Sequence, residues 1–502
     1  MSTENETEPR KIQATLDYTT SEAGNPFVGG WYADPSSAIF DGLFWVYSTP
    51  SCSHEEQTHI DAFSSPDLIN WTEHPNVLTI ASVTWATKAL WAPTPISRHG
   101  RYYLYFSAND LQEDGAGQIG GIGVAVADSP HGPFIDAIGK PLIGSSYNGA
   151  QPVHPDVFID DPNGKVYIYY GGHSHANVAL VGEDMTSLGA FDDGSTFREI
   201  TPKNYLNGAR VMKRNGIYYF LWTEGSRTEP NYSIAYAMAD NALGPFTRSA
   251  TILERDDAVA TGTGHNSVIQ IPDTDIWYIL YHRRPLSEAE ADHRTLAYDR
   301  MYFNEDGTIQ PVTMLVKDNF ADDRMLAWTT YGGEWSVEGH HLVAGDTGGG
   351  MAMLDTNFSD LVFDATVATT KGNGHPGLLF RVSELSRTTH KYKGYKAAIS
   401  PTGVITLGKA DLGTFTDLAQ TRMNMVMGTE YHVRVVAIGS SIKIFVDDMD
   451  KARIDFTDGS FATGATGVRV FNAAAKFGSV SVSRPLGQTL NILVSSSTRR
   501  IA

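Results

Sequence analysis

Gly42-Leu43-Phe44-Trp45-Val46-Tyr47-Ser48 is a turn glycine followed by an aromatic-rich strand, and the chain repeats this unit four more times. The other copies are Gly100-Arg101-Tyr102-Tyr103-Leu104-Tyr105-Phe106, Gly164-Lys165-Val166-Tyr167-Ile168-Tyr169-Tyr170, Gly216-Ile217-Tyr218-Tyr219-Phe220-Leu221-Trp222 and Asp275-Ile276-Trp277-Tyr278-Ile279-Leu280-Tyr281. Their starts lie 58, 64, 52 and 59 residues apart. Tight turns select glycine, and pleated surfaces select aromatic and β-branched side chains, so each copy reads as the second strand of a hairpin. Third strands with Ala/Ser-rich cores follow at 122–127 and 234–239, and a Gly-Pro-Phe turn recurs at Gly132-Pro133-Phe134 and Gly244-Pro245-Phe246. A β-sandwich has no need of so regular a period. Five several-stranded units at this spacing predict a five-bladed β-propeller over residues 24–316.

The repeat stops after Asp306-Gly307-Thr308-Ile309, and Lys317-Asp318-Asn319-Phe320 begins a new pattern. Alternating strands such as Tyr431-His432-Val433-Arg434-Val435-Val436 and Ser441-Ile442-Lys443-Ile444-Phe445-Val446 dominate from there. No stretch has a helical period. The chain is therefore expected to be all-β, with a jelly-roll β-sandwich over 317–486 and a C-terminal tail over 487–502.

The 38 basic residues face 57 acidic ones, a net charge of −19, which argues against nucleic acid and anionic membranes as partners and is neutral toward sugars. A single cysteine, Cys52, excludes an intrachain disulfide. Met1 to Asp17 is polar, without the apolar stretch of a signal peptide, so a cytoplasmic location is expected, or a secreted one if a leader has been removed. No apolar run reaches the ~18 residues of a membrane span.

The inner strands of a propeller converge on its axis, so residues far apart in sequence meet there. The five segments ahead of the hairpins are Trp31-Tyr32-Ala33-Asp34-Pro35, Leu90-Trp91-Ala92-Pro93, His154-Pro155-Asp156-Val157-Phe158, Asn207-Gly208-Ala209-Arg210-Val211 and Gly264-His265-Asn266-Ser267-Val268. Together they offer two carboxylates, aromatic platforms, an arginine and two histidines. Glycoside cleavage needs an acid for the leaving oxygen and a base or nucleophile, and an aromatic face stacks on a sugar ring.

Asn25-Pro26 with Tyr32-Ala33-Asp34-Pro35-Ser36, then Trp91-Ala92-Pro93, His154-Pro155-Asp156 and Gly264-His265-Asn266-Ser267-Val268, resemble the successive signatures of glycoside hydrolase family 43. The resemblance covers about residues 24–316. It implies a five-bladed propeller and inverting, exo-type or debranching hydrolysis of arabinofuranosides, xylosides or related sugars. Arabinoxylan, arabinan or their oligosaccharides are then the expected partners, and an α-L-arabinofuranosidase the leading expectation. A β-xylosidase or an exo-galactosidase is the alternative within the family. By position, Asp34 would be the general base and Asp156 the carboxylate that orients the acid and raises its pKa by like-charge coupling. Inversion implies carboxyl groups about 6.5–9.5 Å apart.

One position departs from the family. Where many members carry a glutamate ahead of a glycine and a Lys-x-Asn-Gly hairpin, this chain has Asn207-Gly208-Ala209-Arg210 ahead of Lys213-Arg214-Asn215-Gly216. Asparagine cannot donate the proton. Glu224, in Trp222-Thr223-Glu224-Gly225, is the substitute acid by this reading, with a pocket-lining role as its competitor. A third reading keeps the sugar pocket and loses the chemistry. Trp31, Trp91, Asn207, Arg210, His265 and Arg294 complete the expected substrate contacts. The family resemblance implies an axial His265 beside water or a structural calcium, with no cofactor otherwise required. Calcium prefers oxygen, so a contact through water suits an imidazole better. The C-terminal segment resembles the concanavalin-like sandwiches appended to glycosidases, with Trp328, Tyr331 and Trp335 as candidate sugar platforms or core residues.

Overall fold

The computed structural model describes residues 24–109, 120–161, 163–345, 348–386 and 391–485. The expected tail over 487–502 lies outside them. The described residues divide into two units, one built from Pro26–Arg255 and Ala260–Thr313, the other chiefly from those after Thr313 together with Gly24, Asn25 and Asp256–Val259. No helix among the described residues is long and apolar enough to cross a membrane.

The first unit is a five-bladed propeller. Blade 1 consists of Tyr32–Phe40, Leu43–Pro50, His59–Ser65 and Thr72–Thr79, paired antiparallel in chain order. Blade 2 runs Trp91–Arg98, Arg101–Ala108, Gly121–Ala127 and Ile135–Asp136, and blade 3 Asp156–Asp160, Lys165–Tyr170, Asn177–Val181 and Phe197–Glu199. Blade 4 is Asn207–Arg214, Ile217–Glu224, Ser233–Ala239 and Thr247–Leu253. Blade 5 has three strands, Thr261–Gln270, Trp277–Arg284 and Thr295–Met301. The five inner strands neighbour one another in chain order, and the last returns to the first.

The aromatic repeat explains the ring. A strand buried on both faces needs a near-continuous apolar run, and each second strand lies between two neighbouring blades. Trp45 and Tyr47 pack toward blade 2 with Leu104 and Phe106, whereas Phe44 and Val46 pack toward blade 5 with Tyr278 and Leu280. Tyr103 and Tyr105 meet Ile168 and Tyr170 of blade 3, whose Tyr167 and Tyr169 turn to Phe220 and Trp222 of blade 4.

The second unit is a sandwich of an eight-stranded and a seven-stranded antiparallel sheet. Tyr431–Ile438 shows the expected alternation, with Val433, Val435 and Ala437 buried between partly exposed neighbours. Trp328 is a core residue: it packs on Phe320 and donates Nε1–H to Asp318 Oδ2 at 2.8 Å. Trp335 is half-buried, with its Nε1–H on the Gly332 carbonyl at 2.9 Å.

Asp318 is the least comfortable charge of this unit. Burial lifts its pKa to about 8, against the pull of the N–H groups of Trp328 and Phe320. A carboxyl with a raised native pKa favours the folded state most when protonated. Stability of the second unit should therefore fall as pH rises from about 4 to 8, by at most about 1.4 kcal/mol per pH unit. Urea unfolding of the full chain across that range, read by a probe in the second unit, should show the slope, and Asp318→Asn should flatten it.

Candidate active site

Five residues hold one equivalent position at the start of the inner strands: Asp34, Ala92, His154, Gly208 and His265. All are left-handed, with φ of 50°, 47°, 52°, 69° and 40°. Register breaks mark the spot in four blades, at Ala33/Ser36, Trp91/Thr94, Asn207/Arg210 and Gly264/Asn266. Such a bulge re-aims a side chain that regular pleating would turn elsewhere, and the backbone strain is retained only where surroundings hold it.

The holding groups come from the preceding blade. The backbone N–H of Ala92 is bonded by Thr49 Oγ1 at 2.9 Å, that of His154 by Ser107 Oγ at 3.0 Å and that of His265 by Thr223 Oγ1 at 3.1 Å. The N–H of Asp34 meets His282 Nδ1 at 3.2 Å. Each partner stands seven residues after the turn residue of its hairpin. The corresponding residue of blade 3 is Gly171, which brings no side chain to Gly208. Glycine suits position 208, because a Cβ there would lie 3.1 Å from His265 Nδ1 and from Thr223 Oγ1 at a φ that disfavours side chains.

Asp34 is buried, and its Oδ1 has His282 Nδ1 at 3.6 Å, His265 Nδ1 at 3.8 Å and Arg294 Nη1 at 4.0 Å. Thr49 donates its hydroxyl to Oδ2 at 3.2 Å. Burial pushes the carboxyl up, but the cationic surroundings, of which Arg294 is the permanent charge, hold it well below the usual carboxylate range. Burial also keeps the imidazoles neutral: His154 falls to about 3, and His265 and His282 fall below the ordinary histidine value. Arg294 is thus the neighbour that stays positive, steadied by its Nε–H on Ser51 Oγ at 2.9 Å.

Two residues further along the same frame stand Asp156 in blade 3 and Arg210 in blade 4, and their adjacency makes an ion pair at 2.9 Å. Val211 N–H occupies the other Asp156 oxygen at 2.7 Å. Burial raises the Asp156 pKa, with Arg210 opposing. His265 feels both Asp34 and Asp156. Its ring lies 5.2 Å from that of His154, which Trp91 meets edge-on at 4.7 Å. Trp91 Nε1, His154 Nδ1, Arg210 Nε and His265 Nδ1 are all buried without a hydrogen-bond partner among the described residues. Trp31 is exposed and stacks on His293 at 4.6 Å and 3°. Asn207 is half-buried at the mouth of blade 4, opposite Thr223.

Glu224 does not have the setting of a proton donor. Arg248, on the outer strand of the same blade, grips both its oxygens, Nε to Oε1 at 2.7 Å and Nη2 to Oε2 at 2.9 Å. A guanidinium fork that occupies both oxygens leaves neither free to face a leaving group, so the expectation that Glu224 serves as the acid finds no support in its geometry. A calcium cage does not fit either. Around His265 the imidazoles of His154 and His282 stand beside the Asp34 carboxylate, whereas calcium takes about six to eight oxygens. Among the described residues no group of three or more His, Cys, Asp or Glu is arranged for a metal ion. His154 was quoted within its motif but not expected as a site residue, and His282, Thr49 and Tyr232 were not expected there either; the shared seventh position of the hairpin repeat is the signal that marks Thr49 and His282.

The family model for glycosyl hydrolases family 43 matches residues 23–309. A β-D-galactofuranosidase from Aspergillus niger is 42% identical over 323 residues, 61% of this chain and 90% of that protein. A xylosidase/arabinosidase from Bacteroides ovatus is 27% identical over 337 residues, 58% of this chain and 97% of its own length. A solved β-xylosidase/α-arabinofuranosidase from a compost metagenome, complexed with xylotriose, is 28% identical, with a TM-score of 0.48 over 58% of this chain and 97% of that one.

Glu224→Gln is expected to cost about 1–3 kcal/mol of stability, because it leaves Arg248 without its charge partner in a half-buried place. Chemical denaturation measures this; an unchanged midpoint with lost turnover would instead restore Glu224 as the acid.

Proposed function

The chain belongs to glycosyl hydrolase family 43, and on that footing we propose that it is an inverting exo-furanosidase, releasing terminal α-L-arabinofuranosyl or β-D-galactofuranosyl residues from polysaccharide side chains or oligosaccharides. These two sugars share the configuration of every ring carbon and differ in the exocyclic arm, so one subsite can take both. The observation that carries the reading is the pair of buried carboxylates in a shared frame: Asp34 facing Arg294 and neutral imidazoles, Asp156 facing Arg210. The unpaired polar atoms of Trp91, His154, Arg210 and His265 offer hydrogen bonds that a polyhydroxylated ring requires. The likeness to the A. niger galactofuranosidase supports the furanose preference.

In this mechanism Asp34 is ionised at any ordinary pH and accepts the proton of the water that attacks the anomeric carbon from the face opposite the aglycone. Asp156 fixes Arg210 toward the sugar. By the family resemblance, Asn207 takes the place of the glutamate that would protonate the leaving oxygen. Its amide can hydrogen-bond that oxygen and cannot protonate it. Bond cleavage then depends on the leaving group's own stability as an anion.

The enzyme should hydrolyse nitrophenyl α-L-arabinofuranoside and β-D-galactofuranoside faster than nitrophenyl β-xyloside, with the inverted anomer as first product by NMR. Alkyl furanosides should react at least about 100-fold more slowly, and Asn207→Glu should recover about that factor, the usual worth of a general acid. Asp34→Asn should lower kcat by about 100-fold or more. Because the Asp34 carboxyl is held low, its ionisation should impose no loss of activity on the acid side until pH falls below the usual carboxylate range. The Asn207 position favours a second reading, sugar binding without turnover. Inertness of the parent toward every nitrophenyl furanoside, with retained binding of the free sugars by calorimetry, would establish it.

A further inference from the structure

Four of the five left-handed residues at the axis have their backbone N–H held by a seventh-position side chain of the preceding blade. Three of those holders are hydroxyls, Thr49, Ser107 and Thr223; the fourth is His282, and it holds the residue read above as the base. We propose that His282 is the positioning residue of Asp34: its neutral ring, locked as the Nε2–H tautomer, accepts the Asp34 N–H through Nδ1 and maintains the left-handed bend that aims the carboxylate at the axis. The proposal rests on the reading of Asp34 as general base.

Several contacts fix that tautomer. A ring nitrogen that accepts an N–H at 3.2 Å carries no proton of its own. The neutral ring's proton is then on Nε2, which faces the Tyr232 hydroxyl at 3.3 Å. Tyr232 stacks on His282 with 17° between the ring planes. Gly264 makes room for it: a Cβ at 264 would fall 2.1–2.4 Å from Tyr232 ring and hydroxyl atoms. His282 is 1% exposed. The charged and titratable groups facing it are Asp34 from blade 1, His154 from blade 3, Tyr232 from blade 4, and His265 and Arg294 from blade 5. Burial and Arg294 both oppose protonation of the ring, and Asp34 alone favours it. An imidazolium would lose the acceptor, and an Nδ1–H tautomer would turn a donor toward Asp34 Oδ1 at 3.6 Å instead.

The test uses the full chain with ¹⁵N-labelled histidine, the His282 signals being assigned by their loss in His282→Asn. Two-bond ¹H–¹⁵N spectra should show Nδ1 unprotonated and Nε2 protonated, unchanged from about pH 5 to 8. An Nδ1–H tautomer or an imidazolium overturns the proposal. In parallel, His282→Asn offers a side-chain oxygen near the place of Nδ1, and His282→Leu offers none. Leucine should lower kcat on nitrophenyl α-L-arabinofuranoside by about 100-fold at little change in KM, and asparagine should recover all but about 10-fold. Equal losses in both variants, tracking their melting temperatures, would mean a packing role and overturn it. If the parent turns over no furanoside, the proposed function fails by itself, and the tautomer spectrum still decides how Asp34 is held.

Discussion

A propeller must close on itself without an edge, and here closure depends on second strands buried on both faces. Phe44 and Val46 point to blade 5 while Trp45 and Tyr47 point to blade 2, so a single strand serves two cores. Blade 5, three-stranded among the described residues, shares its core with Phe27, Val28, Leu68 and Trp71 through Tyr278, Leu296 and Tyr298. Each fully buried side chain of this class contributes about 1.5–3 kcal/mol, and the ring multiplies it around the axis. That rigidity is what allows five left-handed residues to persist at the centre.

The central site inverts the usual logic of a buried acid. Asp34 is ionised although burial opposes it, and the histidines around it are neutral although a carboxylate lies close. Arg294 supplies the lasting positive charge, and the hydroxyl of Thr49 and the polar rings supply oriented dipoles. Low dielectric makes each of these worth more than in water. One negative charge is thereby fixed at the axis, with a second, Asp156, locked to Arg210 in the neighbouring frame.

Blade 4 is the place where the pattern loosens. Its holder position is Gly171, its left-handed residue is Gly208, and the residue before it is Asn207. The same frame position in blade 2 carries Trp91. Glu224, close in sequence, is turned to the outer strand by Arg248. The backbone of blade 4 at the axis is therefore specified by glycine and not by a side-chain clamp.

The repeat of turn residue and aromatic strand made the five blades legible, because two-sided burial imposes a composition that polar or one-sided strands lack. Asp34, Asp156, Arg210 and His265 were legible as a set because inner strands of a propeller must meet, whereas Arg294, outside the inner strands, was expected only from the family resemblance. Sequence proximity misled at Glu224, since the direction of a side chain at a strand end depends on what lies two strands away, here Arg248. His282 and Tyr232 stayed hidden because their value arises only when blade 5 and blade 4 touch blade 1 across the closure of the ring. The sequence by itself determined the architecture and the chemical inventory, since periodicity and composition are local. Only the tertiary structure decided which carboxylate stays ionised, which is tied away and which histidine meets the Asp34 backbone, because those outcomes depend on distances of a few ångströms between residues as much as 248 positions apart.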